Sequence, residues 1–184
     1  MTEYADSTSK PRFDAAKLNF VAAQAAAAAV KQLNPCDVRE RVLALLDDAA
    51  DTFFSTPAPS LGALAQKLEN YWGEELFADD GEAKHKRIIV GDIRRLERVH
   101  AGLEEPDANG GMDPVRIASD WTGALHAYTQ CDRSAKLQAQ LLSKPAPDLY
   151  AVLKKLELFW RDLTDRAANL ILGDLRRFAT SQPH

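Results

Sequence analysis

The sequence has few of the residues that build metal sites and nucleophilic active sites. It contains two cysteines, Cys36 and Cys131, which lie far apart and form no CxxC or Cys/His pattern. Two isolated thiols indicate a protein of a reducing compartment rather than a disulfide framework. None of the four histidines pairs with another at helical spacing, and there is no HExxH sequence. We therefore expect no metal site.

A long hydrophobic run is also absent. The longest apolar stretch, residues 21–30, is interrupted by Gln24, and it is about half as long as the ~20 residues that a membrane-spanning helix requires. The first twelve residues are polar and lack the apolar segment of a signal peptide. Together with a mild net charge of −4, these features predict a cytoplasmic protein with no membrane contact.

The sequence signatures of common enzyme classes are missing. There is no P-loop, nucleophile elbow or dinucleotide fingerprint, and Gly110-Gly111 follows no strand pattern. The acidic residues Asp47, Asp48 and Asp51 fit a solvated helix face better than a cation site, because no further carboxylates support them. We therefore expect a protein that is not an enzyme and that has no cofactor.

An internal repeat is the most informative feature of the chain. The segment PAPSLGALAQKLENYW at 57–72 returns as PAPDLYAVLKKLELFW at 145–160, with nine of sixteen positions identical. A second motif, GDIRRL at 91–96, returns as GDLRRF at 173–178. A duplication of this kind predicts two similar structural units that pack together.

The hydrophobic spacing predicts an all-α fold. Apolar residues recur every three to four positions through most of the chain, and no segment alternates as a strand does. We expect a bundle of about six to seven helices, built from two halves related by a pseudo-twofold axis and ending in one long helix over 147–180. The expected organisation is a disordered tail at 1–12 and a single helical domain at 13–184. Its halves cover about 13–101 and 113–180, with a linker at 102–112.

Several residues are predicted to begin helices. Each Pro-Ala-Pro sequence fits the first turn of a helix, where a missing N–H does no harm, with Thr56 as the N-cap of the first copy. Asp80 is the predicted N-cap of a helix that ends at His100, and Asp113 the N-cap of another. The alanines of 22–29 predict a seam where a second helix approaches closely. In the following helix, one apolar stripe is expected to face the core: Val38, Val42, Leu45, Leu46, Ala49 and Phe53.

The repeat also duplicates charged residues, and this is harder to explain by core packing alone. Two explanations remain open: ion pairs between helices, related by the pseudo-twofold axis, or a shared surface for a ligand or partner. In the second case the duplicated residues form two half-sites. The candidate interaction residues are Lys67, Glu69, Asp92, Arg94 and Arg95 in the first copy, and Lys155, Glu157, Asp174, Arg176 and Arg177 in the second.

A basic strip offers a different hypothesis. Arg87, Arg94 and Arg98 share one face of a predicted helix, as phosphate contacts on a nucleic acid do. Interleaved Asp92 and Glu97, a lack of aromatic residues nearby and the acidic composition favour instead arginines that pair with neighbouring helices. Nucleic-acid binding is the alternative function.

The two motifs, with the helix that holds Trp121 and Tyr128, resemble an uncharacterised group of small bacterial all-helical proteins. The resemblance covers about a third of the chain and implies no catalytic or binding residue. The sequence therefore predicts a non-enzymatic protein-interaction or structural module, whose partner is another protein or a second copy of the chain.

Overall fold

The computed structural model describes residues 8–31, 36–103, 113–130, 134–160 and 165–181. These residues form helices and no strands, as predicted. The helices are α1 (Ser9–Val30), α2 (Cys36–Ser55), α3 (Leu61–Trp72), a 3-10 helix η1 (Gly73–Phe77), α4 (Gly81–His100), α5 (Pro114–Gln130), α6 (Ala135–Ser143), α7 (Leu149–Phe159) and α8 (Arg166–Thr180).

The chain divides into two compact units, with the boundary between Pro59 and Ser60. The sequence predicted one domain over 13–184 and a boundary between halves at 102–112, so the prediction missed the separation of α1 and α2 from the rest. It also placed residues 9–12 in a disordered tail, whereas α1 begins at Ser9. Residues 104–112 of the predicted linker lie outside the described residues, as do Cys131 and residues 1–7.

The first unit is a hairpin of α1 and α2 closed by four phenylalanines. Phe53 is fully buried, and its ring centroid lies 5.4 Å from that of Phe13, 5.2 Å from that of Phe20 and 5.1 Å from that of Phe54. Aromatic pairs at these separations contribute more than their buried area alone. The phenylalanine cluster is therefore the core of this unit.

The hairpin buries less of its apolar surface than the sequence predicted. On α2, Phe53 is buried, but Val38 is 45% exposed and Leu45 63% exposed. In the predicted alanine seam only Ala27 is buried, while Ala22, Ala25, Ala26, Ala28 and Ala29 are exposed. A two-helix unit has only one helix-to-helix contact to bury, so each helix keeps an outer face.

The second unit contains both copies of the repeat, except for the first three residues of the first copy, 57–59. In each copy two helices pack against each other, α3 with α4 and α7 with α8. The copies are then joined crosswise, because α3 packs on α8 and α4 packs on α7. α5 packs on α6, which in turn contacts α4 and α7.

The single long C-terminal helix predicted over 147–180 is wrong. α7 ends at Phe159, and α8 starts at Arg166 with Asp165 as its N-cap, whose carboxylate accepts a hydrogen bond of 3.0 Å from the Ala168 N–H. Asp80 caps α4 as predicted, accepting from the Ala83 N–H at 2.7 Å.

The Pro-Ala-Pro sequences lie before their helices and not in the first turn. α3 is capped by Ser60, whose hydroxyl accepts from the Ala63 N–H, and α7 by Asp148, which accepts from the Ala151 N–H. Ser60 and Asp148 occupy the same position in the two copies. The prediction of Thr56 as the cap is therefore wrong: Thr56 donates its hydroxyl hydrogen to the Thr52 carbonyl at the end of α2.

Candidate functional site

The duplicated lysines and aspartates form two buried ion pairs that connect the copies of the repeat. Lys67 of the first copy lies 2.6 Å from Asp174 of the second, and Lys155 of the second lies 2.6 Å from Asp92 of the first. The side chains of Lys67 and Lys155 are 1% and 0% exposed. Each lysine therefore finds its carboxylate in the other copy, on the helix that packs crosswise against its own.

Burial shifts the pKa values of Lys67, Lys155 and Asp92 towards their neutral forms. Burial lowers the pKa of Lys155, although the charge and hydrogen bond of Asp92 oppose the shift, and it lowers the pKa of Lys67 in the same way against Asp174. Burial also raises the pKa of Asp92, opposed by Lys155, by the Ala146 N–H and by Arg95. Removing these charges from water is thus costly, and each depends on its partner to remain charged.

The Asp92–Lys155 pair is surrounded by further interactions. The Lys155 ammonium lies 5.7 Å from the centroid of the Trp121 ring, a cation–π arrangement. Arg95 donates a hydrogen bond to the Ala146 carbonyl, and the Ala146 N–H in turn bonds to Asp92. Both the N–H and the carbonyl of Ala146, in the Pro-Ala-Pro segment of the second copy, are thus bonded to the second motif of the first copy.

The remaining duplicated charges form ion pairs at the surface, within each copy. Arg94 donates to Glu69, with 3.1 Å from Nε to Oε1, and Arg176 donates to Glu157 at 3.2 Å. The hydrogen bond from Lys154 lowers the pKa of Glu157, against partial burial, and the bond from Arg176 adds to the effect. Arg177 lies 3.3 Å from Asp174 on α8. All ten predicted interaction residues therefore lie in ion pairs. Eight of them pair between helices, whereas Arg95 and Arg177 pair with Asp92 and Asp174 of their own helices.

Two of the three arginines of the predicted basic strip line a groove. Arg87 and Arg94 are among the residues around a cavity of about 760 Å³ between the end of α3, η1 and α4, with Leu76, Phe77 and Val90 as its apolar part. Arg87 donates to the carbonyls of Leu76 and Ala78 at 2.7 and 3.0 Å, so it holds η1 in place. Because Arg94 pairs with Glu69, both of these arginines already bond to protein acceptors.

The sequence analysis did not predict the contacts of Lys86 and of Tyr71. The Lys86 ammonium is buried between the carboxylates of Glu75 and Glu82, at 2.5 and 2.8 Å. Burial alone would lower the pKa of Lys86, but the hydrogen bonds to the two glutamates outweigh this effect and raise the pKa. Tyr71 bonds to Asp165, the N-cap of α8. The nearby Trp72 and Trp160, which are equivalent in the repeat, have ring centroids 5.8 Å apart. Neither Lys86 nor Tyr71 is duplicated as such, so comparison of the two copies did not single them out.

The described part of the chain contains no group of three or more His, Cys, Asp or Glu side chains that is suited to a metal ion. None of its helices is both long and apolar enough to cross a membrane.

Compared with protein-family models, curated proteins and solved structures, the chain matches none of them. The family resemblance of the repeat and the predicted pseudo-twofold axis therefore stay predictions.

Tyr71 gives the stability of the fold a specific dependence on alkaline pH. Burial, with the nearby charge of Asp165, raises the pKa of Tyr71 from 10.0 to about 12. The unfolded chain therefore loses this proton at a lower pH than the folded chain, so stability falls as the pH rises from about 10 towards about 12. We expect the urea midpoint to fall more between about pH 9 and about pH 11 for the wild type than for Tyr71→Phe. Equal falls for the two proteins would contradict the assignment.

Proposed function

We propose that the protein is a non-enzymatic, cytoplasmic protein-interaction module, in which the second unit is a rigid scaffold and the hairpin of α1 and α2 carries the interaction surface. The observation that supports this proposal most directly is the exposed apolar surface of the hairpin. Its two helices hold half of the ten large apolar side chains that the described residues expose. These five are Leu18, Val21, Val38, Leu43 and Leu45.

The duplicated charges support the scaffold role of the second unit. Lys67, Asp92, Lys155 and Asp174 are buried and paired with one another. A buried, satisfied ion pair is not open to a partner, and these two pairs connect α3 with α8 and α4 with α7. The surface available for binding must therefore be sought elsewhere.

The outer face of α1 has the character of a helix-docking surface. Leu18, Val21, Ala25 and Ala28 are exposed at the three- and four-residue spacing of one helix face. Residues 18–30 contain no charged side chain. Because alanine side chains are short, a partner helix can pack close to α1. The distance between the two helix axes can then lie at the short end of the range of about 8–10 Å for packed helices.

A photo-crosslinking experiment tests the proposal. A benzophenone side chain is placed at Leu18, which is 70% exposed, or at the control position Val115, which is 75% exposed and lies in the second unit. We expect a discrete protein–protein adduct from position 18 in growing cells, in excess of position 115. Adding Ala25→Glu on the same face should remove that adduct. Adducts of equal yield from both positions, or adducts unaffected by Ala25→Glu, would contradict the proposal.

The alternative, nucleic-acid binding through Arg87, Arg94 and Arg98, has less support. Arg87 and Arg94 donate to carbonyls and to a carboxylate of the protein. Phosphate binding at this strip would have to displace those bonds. Nucleic-acid binding at this strip predicts an affinity for nucleic acid that decreases steeply with salt concentration and is lost in the Arg94→Ala, Arg98→Ala double variant.

A further inference from the structure

A second exposed stripe runs along α2, beside the face that carries the phenylalanine core. Its members recur at a spacing of three or four residues, so they lie in one row along the helix. All five are exposed, and Leu45 at the centre is 63% exposed. The stripe consists of Val38, Arg41, Leu45, Asp48 and Thr52.

The charges of this stripe are arranged symmetrically about Leu45 and are opposite in sign. Arg41 lies four residues before Leu45, and Asp48 lies three residues after it. When two such helices meet antiparallel with their Leu45 side chains together, each Arg41 comes beside the Asp48 of the other helix. A surface that complements itself in this way is the requirement for a two-fold symmetric contact between identical chains.

We propose that α2 pairs antiparallel with the α2 of a second copy of this chain, through Leu45 at the centre and one Arg41–Asp48 ion pair on each side of it. This inference rests on the part of the proposed function that gives the hairpin the interaction surface, and it names a second copy of the chain as the partner of α2. A parallel pair is disfavoured, because it would place Arg41 beside Arg41 and Asp48 beside Asp48. The charges thus select the direction of pairing, as charged positions do in coiled coils.

A second copy of the chain is the partner, because the order of charges that the stripe requires in a partner helix is its own. A complementary helix needs an apolar residue with an acidic residue about one turn after it and a basic residue about one turn before it. That is the order of charges in the stripe itself. No other sequence has to be postulated.

Reversing each charge and then mixing the variants tests this geometry. Arg41→Glu places two acidic side chains together at each end of the contact, and Asp48→Arg places two basic ones there. Because like charges side by side in a contact are costly, we expect each single variant to weaken self-association about tenfold or more in sedimentation equilibrium. An equimolar mixture of the two should recover it, because the carboxylate introduced in one chain then meets the guanidinium introduced in the other.

Two variants of the same helix serve as matched controls. Arg39→Glu and Asp47→Arg make the same changes of charge at exposed positions that lie off the stripe. We expect both to associate as the wild type does, and circular dichroism establishes that each variant is folded. A wild type that remains monomeric, single variants that behave as the controls do, or a mixture that does not recover would each overturn the proposal.

The outcomes separate this inference from the proposed function. If the wild type is monomeric while position 18 still forms its protein adduct, the pairing of α2 fails and the interaction module stands. If the wild type self-associates and the mixture recovers, while position 18 forms no adduct, the contact of α2 stands and the surface proposed on α1 fails.

Discussion

Replacing Asp92 by alanine is expected to lower the free energy of unfolding by about 3–5 kcal/mol, the usual cost of removing one partner of a buried ion pair. The loss is large because Lys155 is fully buried and would be left without the carboxylate that offsets the cost of burying its amino group. The same change also removes the acceptor of the Ala146 N–H. Asp174→Ala should have an effect of the same order, because Lys67 is left in the same position.

The measurement is a urea titration followed by circular dichroism and tryptophan fluorescence. Glu157→Ala is the matched control: it removes a carboxylate of the same repeat whose partners Arg176 and Lys154 are 56% and 37% exposed, and a surface pair of this kind contributes about 0–1 kcal/mol. The double variant Lys155→Met, Asp92→Leu should recover most of the stability, since it leaves no buried charge. Equal losses for Asp92→Ala and Glu157→Ala would contradict the account.

Replacing Phe53 by alanine should cost about 3–5 kcal/mol in the first unit, as loss of a fully buried aromatic ring does. The ring is in contact with Phe13, Phe20 and Phe54, so the substitution leaves a cavity at the centre of the cluster. Because the hairpin has no other aromatic cluster among its described residues, little remains to hold α1 against α2.

Optical probes can locate this effect in the chain. All three tryptophans, Trp72, Trp121 and Trp160, belong to the second unit. We expect Phe53→Ala to lose helical circular dichroism at lower urea concentration, while the midpoint of tryptophan fluorescence stays where it is. Phe77→Ala, which removes an 86% exposed ring, should change neither. A fluorescence midpoint that shifts together with the helical signal would show that the two units unfold as one.

Local signals in the sequence predicted the helices well where a cap marks the start. Asp80 predicted the beginning of α4 because its carboxylate bonds to the first turn. The Pro-Ala-Pro sequences misled the prediction by a few residues, since Ser60 and Asp148 provide the caps. In the C-terminal region the apolar periodicity continued through 160–166, so the pattern alone hid the end of α7 and the start of α8.

The repeat identified the right charged residues but not their partners. A duplicated lysine and a duplicated aspartate are equally compatible with pairing inside a copy or between copies. Only the crosswise packing of α3 on α8 and of α4 on α7 decides between them. The exposure of Val38, Leu45 and the alanines of α1 could not be predicted either, because periodicity shows that a face is apolar and not whether another element covers it.

A double-mutant cycle on unfolding tests whether the duplicated charges are structural and pair between the copies, with Lys67→Met combined either with Asp174→Asn or with Asp92→Asn. We expect a coupling free energy of about 2–3 kcal/mol between Lys67 and Asp174, and less than about 0.5 kcal/mol between Lys67 and Asp92. A stronger coupling of Lys67 to Asp92 than to Asp174 would contradict the pairing between the copies.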